Sequence, residues 1–174
     1  MTARDIQRRL VFDLYRRSFA IPNYTPRGWF ECDVFEVTAA GYWREYEVKV
    51  SRSDFFADAK KLAKEFRYTM SGDVVKMPQT KHQLMNDTSH GPKLFYFVMP
   101  EGLVLPHEIP DWAGLMYAKP GGKLPVLYTA RRAPERHGRP VDAAVLTHAR
   151  GVCYYRFLNG YLRGKFAPQD ELLT

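Results

Sequence analysis

An α/β fold, a mixed sheet flanked by helices in a single domain, is what this 174-residue sequence predicts. Three observations predict it. Residues 29–38 and 42–50 alternate charged residues with aromatic and β-branched ones, as a pair of half-buried strands does. Leu94–Met99 is continuously apolar, the pattern of a strand covered on both faces. Between and around these runs, apolar residues recur at helical spacing.

The elements follow in order. Residues 3–19 set Ile6, Leu10 and Leu14 on one helical face, with Val11 and Tyr15 nearby and the arginines largely elsewhere. The stretch 29–38 is then joined to 42–50 by Ala39-Ala40-Gly41, a three-residue hairpin loop with glycine where a left-handed residue is wanted. Ser51 or Ser53 caps a helix expected to run to about Met70, with Phe55, Phe56, Ala59, Leu62, Ala63 and Phe66 as its apolar stripe. Residues 71–92 read as a long loop holding a short helix near Thr80–Met85. Leu94–Met99 is a core strand, Gly114–Ala118 its neighbour and Val126–Thr129 an edge. A basic Pro/Gly/Arg connector over 131–140 leads to a helix from Val141 to about Leu162, with Ala144, Val145, His148, Val152 and Tyr155 on one side. The expected organisation is a core over 1–130, the connector, and a C-terminal helical extension over 141–174.

A chain of this length buries roughly 70% of its unfolded surface and needs no covalent staples. Cys32 and Cys153 are too few for a disulfide framework or a zinc ligand set, and they read as buried thiols in a reducing compartment. The N-terminus lacks a signal-peptide apolar region, and no run approaches the roughly 18 apolar residues of a membrane span, so a cytoplasmic location is expected. The net charge of +7 is clustered: Arg4, Arg8, Arg9, Arg16 and Arg17; then Arg52, Lys60, Lys61, Lys64 and Arg67; then Arg131, Arg132, Arg136 and Arg139. Such fields attract nucleic acid, although the same charge also serves solubility.

Chemistry gathers at the hairpin. If Thr38 pairs with Tyr42, Asp33 lies opposite Glu47 and Glu31 opposite Lys49, all on one face. Carboxylates about 4.5–5.5 Å apart repel unless a positive group sits between them, and a divalent cation is one such group. Two plainer readings stay open: a charged face that is simply solvated, and a bulge that breaks the opposition. Tyr24, Trp29, Phe30, Tyr42, Trp43 and Tyr46 invite a base-stacking reading, but sheet and core packing accounts for most of them.

Asp33, thirteen intervening residues and then Glu47-Val48-Lys49, with a helix before and a helix and strand after, resembles the PD-(D/E)XK nuclease superfamily, whose fold is restriction-endonuclease-like. Val48–Asp58 (VKVSRSDFFAD), Lys81-His82, Leu94–Leu103 and Ile109–Leu115 look like the MmcB-type DNA-repair proteins and related small phage or bacterial proteins. The similarity covers about residues 29–118. It departs from that pattern in the material between Lys60 and Lys81, and Cys32 stands where the superfamily name has proline.

The resemblance implies a Mg²⁺-dependent deoxyribonuclease, with Mn²⁺ as substitute, acting in DNA repair, recombination or phage DNA processing. Asp33, Glu47 and the Val48 carbonyl are then the metal ligands, hard oxygens suited to Mg²⁺. Asp33, Glu47 and Lys49 are the catalytic set, with Lys49 orienting the attacking water or neutralising developing charge. Ser51, Lys81 and His82 are implied phosphate contacts. Asp13 and Glu31 are candidates for a further acid, Glu31 otherwise salt-bridging Lys49. DNA is the implied partner, and pairing of two copies to cut both strands stays open. The rival reading is a nucleic-acid-binding module that keeps the fold without cutting.

Overall fold

The hairpin register follows from alternation and from the loop. Strand β2 (Cys32–Thr38) pairs antiparallel with β3 (Trp43–Val48), Val34 facing Tyr46 and Val37 facing Trp43. Thr38 N–H donates to the Tyr42 carbonyl at 3.0 Å, and Gly41 takes φ +79° to close the loop. This is the register expected from the sequence. The computed structural model describes residues 1–63, 66–68, 74–76, 79–89 and 91–165, and the chain divides into two compact units, Met1–Val141 and Asp142–Thr174.

In the first unit, α1 (Ala3–Leu14) opens with a capping box between Thr2 and Asp5. It buries Ile6, Leu10 and Leu14 against Val34, Tyr46, Val48, Val98 and Ala118 on one face of the sheet. The helix ends five residues earlier than expected, and Ser18–Tyr24 forms a strand, β1, paired with β2. Pro22 hid this strand in the sequence; it is tolerated because β1 is at the sheet edge, where no ladder donor is needed on the open side.

After β3 comes α2 (Arg52–Asp58), capped by the Ser51 hydroxyl. It is much shorter than the expected helix to Met70. The Lys61 carbonyl accepts the Lys81 N–H at 2.8 Å, so the backbone there is committed to a returning segment rather than to a further helical turn. The short strands β4 (Leu62–Ala63) and β7 (Gln79–Thr80) pair, as do β5 (Phe66–Tyr68) and β6 (Val74–Lys76), and α3 (Lys81–Asn86) follows. The expected helix end at Met70 and much of the expected loop, His90 included, lie outside the described residues.

Strand β8 (Leu94–Pro100) runs parallel to β3 and to β9 (Gly114–Lys119), and β10 (Val126–Arg131) closes the edge antiparallel. The six-stranded order is β1-β2-β3-β8-β9-β10, a mixed sheet flanked by helices, which is the α/β class the sequence predicts. Phe95, Phe97, Val98 and Met99 of β8 are wholly buried, which explains that strand's continuous apolarity. On the face opposite α1, Phe55 of α2 and Met85 of α3 pack on Phe95, Phe97, Met99 and Leu115.

Residues 131–140 belong to this unit rather than forming a free connector, and Arg136 is buried within it. The second unit holds α4 (Ala143–Leu162), capped by Asp142. Ala144 and Tyr155, expected on its apolar side, are exposed, and residues 166–174 lie outside the described residues. Among the described residues no helix is long and apolar enough to cross a membrane.

Candidate functional site

Period-two alternation along β3 sends Glu45 and Glu47 to the face that carries α2 and α3, and Lys49 follows just past the strand. There they meet Asp58 from the last turn of α2, Lys61 beyond it and Lys81 from the first turn of α3. Lys49 Nζ lies 2.9 Å from Glu47 Oε1 and 3.0 Å from Asp58 Oδ1, with Asp54 at 3.6 Å. Lys61 Nζ lies 3.0 Å from the same Glu47 oxygen and 2.9 Å from the same Asp58 oxygen. Lys81 Nζ reaches Glu47 Oε2 at 3.1 Å and Glu45 Oε1 at 3.2 Å, with the Phe95 and Phe30 rings nearby. Trp29 Nε1 donates to Glu45 Oε2 at 2.7 Å.

Asp33 stands apart from this ammonium network. The β2–β3 ladder stops at Val34–Tyr46, and instead of facing Glu47 across a strand pair, Asp33 Oδ2 accepts the Val48 N–H at 2.7 Å. In an extended strand a residue's N–H and C=O point the same way, so the Val48 carbonyl also faces β2. The Asp33 backbone carbonyl is held in turn by Gln7 Nε2 of α1 at 2.6 Å. No basic group of the described residues is within ion-pair distance of the Asp33 carboxyl.

The electrostatics follow from burial and neighbours. Burial, then the Glu47 charge, pushes the Asp33 carboxyl up to about 6, against the Val48 N–H and the lysines. Burial would also raise Asp58 and Glu47, but Lys81, with Lys49 and Lys61, holds both below the usual carboxylate range. Burial works against the charge on Lys81 as well, and Glu45, Glu47 and Asp58 overcome it to raise the ammonium. Burial foremost raises the Cys32 thiol, consistent with an inert core cysteine.

The expected site residues therefore divide. Asp33, Glu47, Val48, Lys49 and Lys81 come together. Ser51 caps α2 by accepting the Asp54 N–H, and His82 packs its ring edge-to-face on Trp112 at 4.9 Å. Lys81 is wholly buried and faces carboxylates, so its place is inside the cluster. Asp13 pairs with Arg9 on α1, on the opposite side of the sheet, and Glu31 is exposed while Lys49 pairs with other acids. Glu45, Asp58 and Lys61 were not singled out as site residues. The signal for Asp58 was present: it lies three residues after the core residue Phe55, on the same helical face.

As metal donors, Asp33, Glu47 and the Val48 carbonyl are oxygens of the hard kind that Mg²⁺ takes. The Asp33 carboxyl, half-buried and outside ion-pair distance of the basic groups among the described residues, offers one such oxygen, and Asp58 Oδ2 is a buried oxygen with no hydrogen-bond partner among the described residues. Both Glu47 oxygens are already engaged by ammoniums. Among the described residues no group of three or more His, Cys, Asp or Glu side chains converges on one ion position.

No protein-family model and no curated protein matches the chain. A solved structure does: the SPO1766 protein of unknown function from Silicibacter pomeroyi is similar with a TM-score of 0.60 at 18% identity, over 97% of each chain. At that identity the likeness bears on the fold alone, which is shared across nearly the whole of both chains.

Proposed function

We propose that this chain is a metal-dependent nuclease that hydrolyses DNA phosphodiester bonds in the cytoplasm, in DNA repair, recombination or phage DNA processing. The observation that carries the reading is the meeting of Asp33, Glu47 and Lys49 at the open end of the β2–β3 hairpin, Glu47 and Lys49 within a buried ionic cluster and Asp33 beside it on the Val48 N–H. Well-packed apolar residues in place of a buried ion pair are often as stabilising or more so, so such a concentration of charge is better explained by chemistry than by folding.

Asp33, Glu47 and the Val48 carbonyl are the residues that would hold the ion. When bound, a divalent cation supplies charge against the phosphoryl oxygens and lowers the pKa of its water. Lys49, fixed by Glu47 and Asp58, presents an ammonium in the same cluster to neutralise charge developing on the phosphate. Exposed Arg4, Arg8, Arg16, Arg17, Arg52 and Lys60 supply a sequence-independent attraction for the polyanion.

The test is a labelled panel of linear, nicked, flapped and junction DNAs incubated with Mg²⁺, Mn²⁺ or EDTA. Cleavage by the wild type in either metal, its absence in EDTA, and a loss of about 100-fold or more in Asp33→Asn and Lys49→Ala are expected. The second reading, a binding module that keeps the fold without cutting, draws on the engagement of both Glu47 oxygens by lysines. Retention of DNA without cleavage of any panel member would select it.

A further inference from the structure

Along α4 the charge is of one sign. From 143 to 165 the sequence holds Arg150, Arg156, Arg163 and Lys165 and no acid. Residues three and four apart are neighbours on a helix surface, so Arg150, Tyr154, Phe157 and Tyr161 share one stripe of α4. Tyr154, Phe157 and Tyr161 are 60%, 55% and 65% exposed, and Arg150 is exposed with them. At about 1.5 Å of rise per residue the three rings follow one another at roughly 4.5 and 6 Å along the axis. The Phe157 and Tyr161 rings stand 21° from parallel with centroids 6.3 Å apart.

A contiguous set of rings in water marks an interaction surface, and charge decides what covers it. A second copy of the chain would bring another helix of the same sign, with no acid to answer Arg150. A lipid surface takes a helix whose immersed face is free of charge and built of Trp, Phe and Leu. Here Arg150 sits in the stripe itself, and two of the three rings are tyrosines, whose hydroxyls are suited to water. Single-stranded DNA answers both parts of the stripe, with phosphates for the arginine and base faces for the rings. In a duplex those faces are already stacked on one another, so only a single strand has them to give.

Resting on the nuclease reading for DNA as the ligand, we infer that the Arg150–Tyr154–Phe157–Tyr161 stripe of α4 is a contact for single-stranded DNA: the three rings stack on base faces, and Arg150 pairs with a backbone phosphate beside them. The stripe thereby names the substrate class, DNA that carries an unpaired segment, as flaps and gaps do, rather than unbroken duplex. It draws on no residue of the buried ionic cluster.

Fluorescence anisotropy of the full chain in EDTA measures binding of a labelled oligothymidine strand, alone and annealed to its oligodeoxyadenosine complement. The wild type should prefer the single strand. Tyr154→Ala and Tyr161→Ala should each weaken single-strand binding about tenfold and duplex binding by less than about twofold, as for one lost stacking ring. Tyr154→Phe and Tyr161→Phe keep the ring face and should stay within about twofold of the wild type. Arg150→Gln should lower the salt slope on the single strand by about 0.7, one phosphate contact. Thermal unfolding midpoints show separately that each variant folds. Unchanged single-strand binding in both alanine variants, an equal loss on the duplex, or a wild type that does not bind the single strand overturns the inference. So does an alanine effect found instead on anionic phosphatidylserine vesicles or on the sedimentation of the chain, which would assign the stripe to a lipid surface or to a second copy. EDTA keeps cleavage out of the measurement, so failure to cut the DNA panel removes the nuclease reading while the binding result stands by itself.

Discussion

Asp33 Oδ2 takes the Val48 N–H at 2.7 Å, so a side chain of β2 completes the hydrogen bonding of β3 where the strand ladder has run out. The bond orients a carboxyl that burial has made reluctant to ionise, and it sets that group beside the Glu47-Val48-Lys49 segment.

The first prediction concerns pH. The Asp33 carboxyl titrates at about 6 in the folded protein against an ordinary value of 3.8. Between those values the native state keeps a proton that the unfolded chain has released, so this group's contribution to stability is full below pH 3.8 and is lost as pH rises through 6. The difference corresponds to about 3 kcal/mol. Asp33→Asn has no such titration, so relative to wild type it should gain about 2–3 kcal/mol between pH 4 and pH 7. Urea unfolding of both proteins at the two pH values measures this, and parallel pH profiles would rule out the raised carboxyl.

A second prediction follows from Lys81, buried against Glu45, Glu47 and Asp58. Lys81→Met leaves those acids short of one counter-charge in a dry site, at a cost of about 3–5 kcal/mol near neutral pH. Asp58, which the lysines hold low, shows the sign: its stabilising contribution is present at neutral pH and lost in acid. The penalty of Lys81→Met should therefore shrink as pH falls toward 4, where carboxylates left without their lysine take up protons. A penalty independent of pH in chemical denaturation would mean that Lys81 acts by packing alone.

Trp29 supplies a third. Gly91 sits at φ +82°, and a Cβ there would stand 2.4 Å from Trp29 Cη2 and 2.6 Å from Cζ2. Gly91→Ala must move the indole whose Nε1 donates to Glu45 Oε2, in addition to straining its own backbone. Destabilisation of roughly 2–4 kcal/mol is expected, together with a changed near-ultraviolet dichroism from the displaced ring. Wild-type stability and an unaltered spectrum would show that the contact is slack.

The parts of this molecule legible in the sequence are those set by near neighbours. Gly41 and the alternation on either side of it specify the hairpin register, and the unbroken apolar run of β8 specifies a strand covered on both faces. The rest depends on residues distant in the chain. Lys81 reaches Glu47 across 34 positions, and nothing local marks its ammonium as buried rather than solvated. Lys61 reads as a lysine on the wet side of the helix expected to run to about Met70, because the return of Lys81 to its carbonyl is a tertiary event. Pro22 concealed β1 because a proline counts against a strand until the strand is known to be an edge. The hairpin spacing sets Asp33 opposite Glu47, but the ladder stops at Val34–Tyr46, and nothing in that spacing tells that Lys61 and Lys81 close on the Glu47 carboxylate.

Arg136 provides the last prediction, and it links the segment read as a basic connector to the site. Its guanidinium is buried, with Nε on the Met85 carbonyl at 3.0 Å, Nη1 on the Pro92 carbonyl at 2.6 Å, and Nη2 on the Asp87 carbonyl at 2.8 Å and the Leu84 carbonyl at 3.4 Å. Leu84 and Met85 lie in the last turn of α3, where carbonyls lack helical partners and a cation is favoured. The same helix carries Lys81 in its first turn. Arg136→Met should strip these carbonyls of their donor and cost about 3 kcal/mol, and Arg136→Lys should recover little, since one ammonium cannot span the fork that a planar guanidinium reaches. Because α3 would loosen as a unit, amide exchange in Lys81–Asn86 should accelerate in both variants while β8, buried on both faces, keeps its protection. Exchange that rises equally in β8 would mean that Arg136 supports the whole sheet and not the helix that presents Lys81.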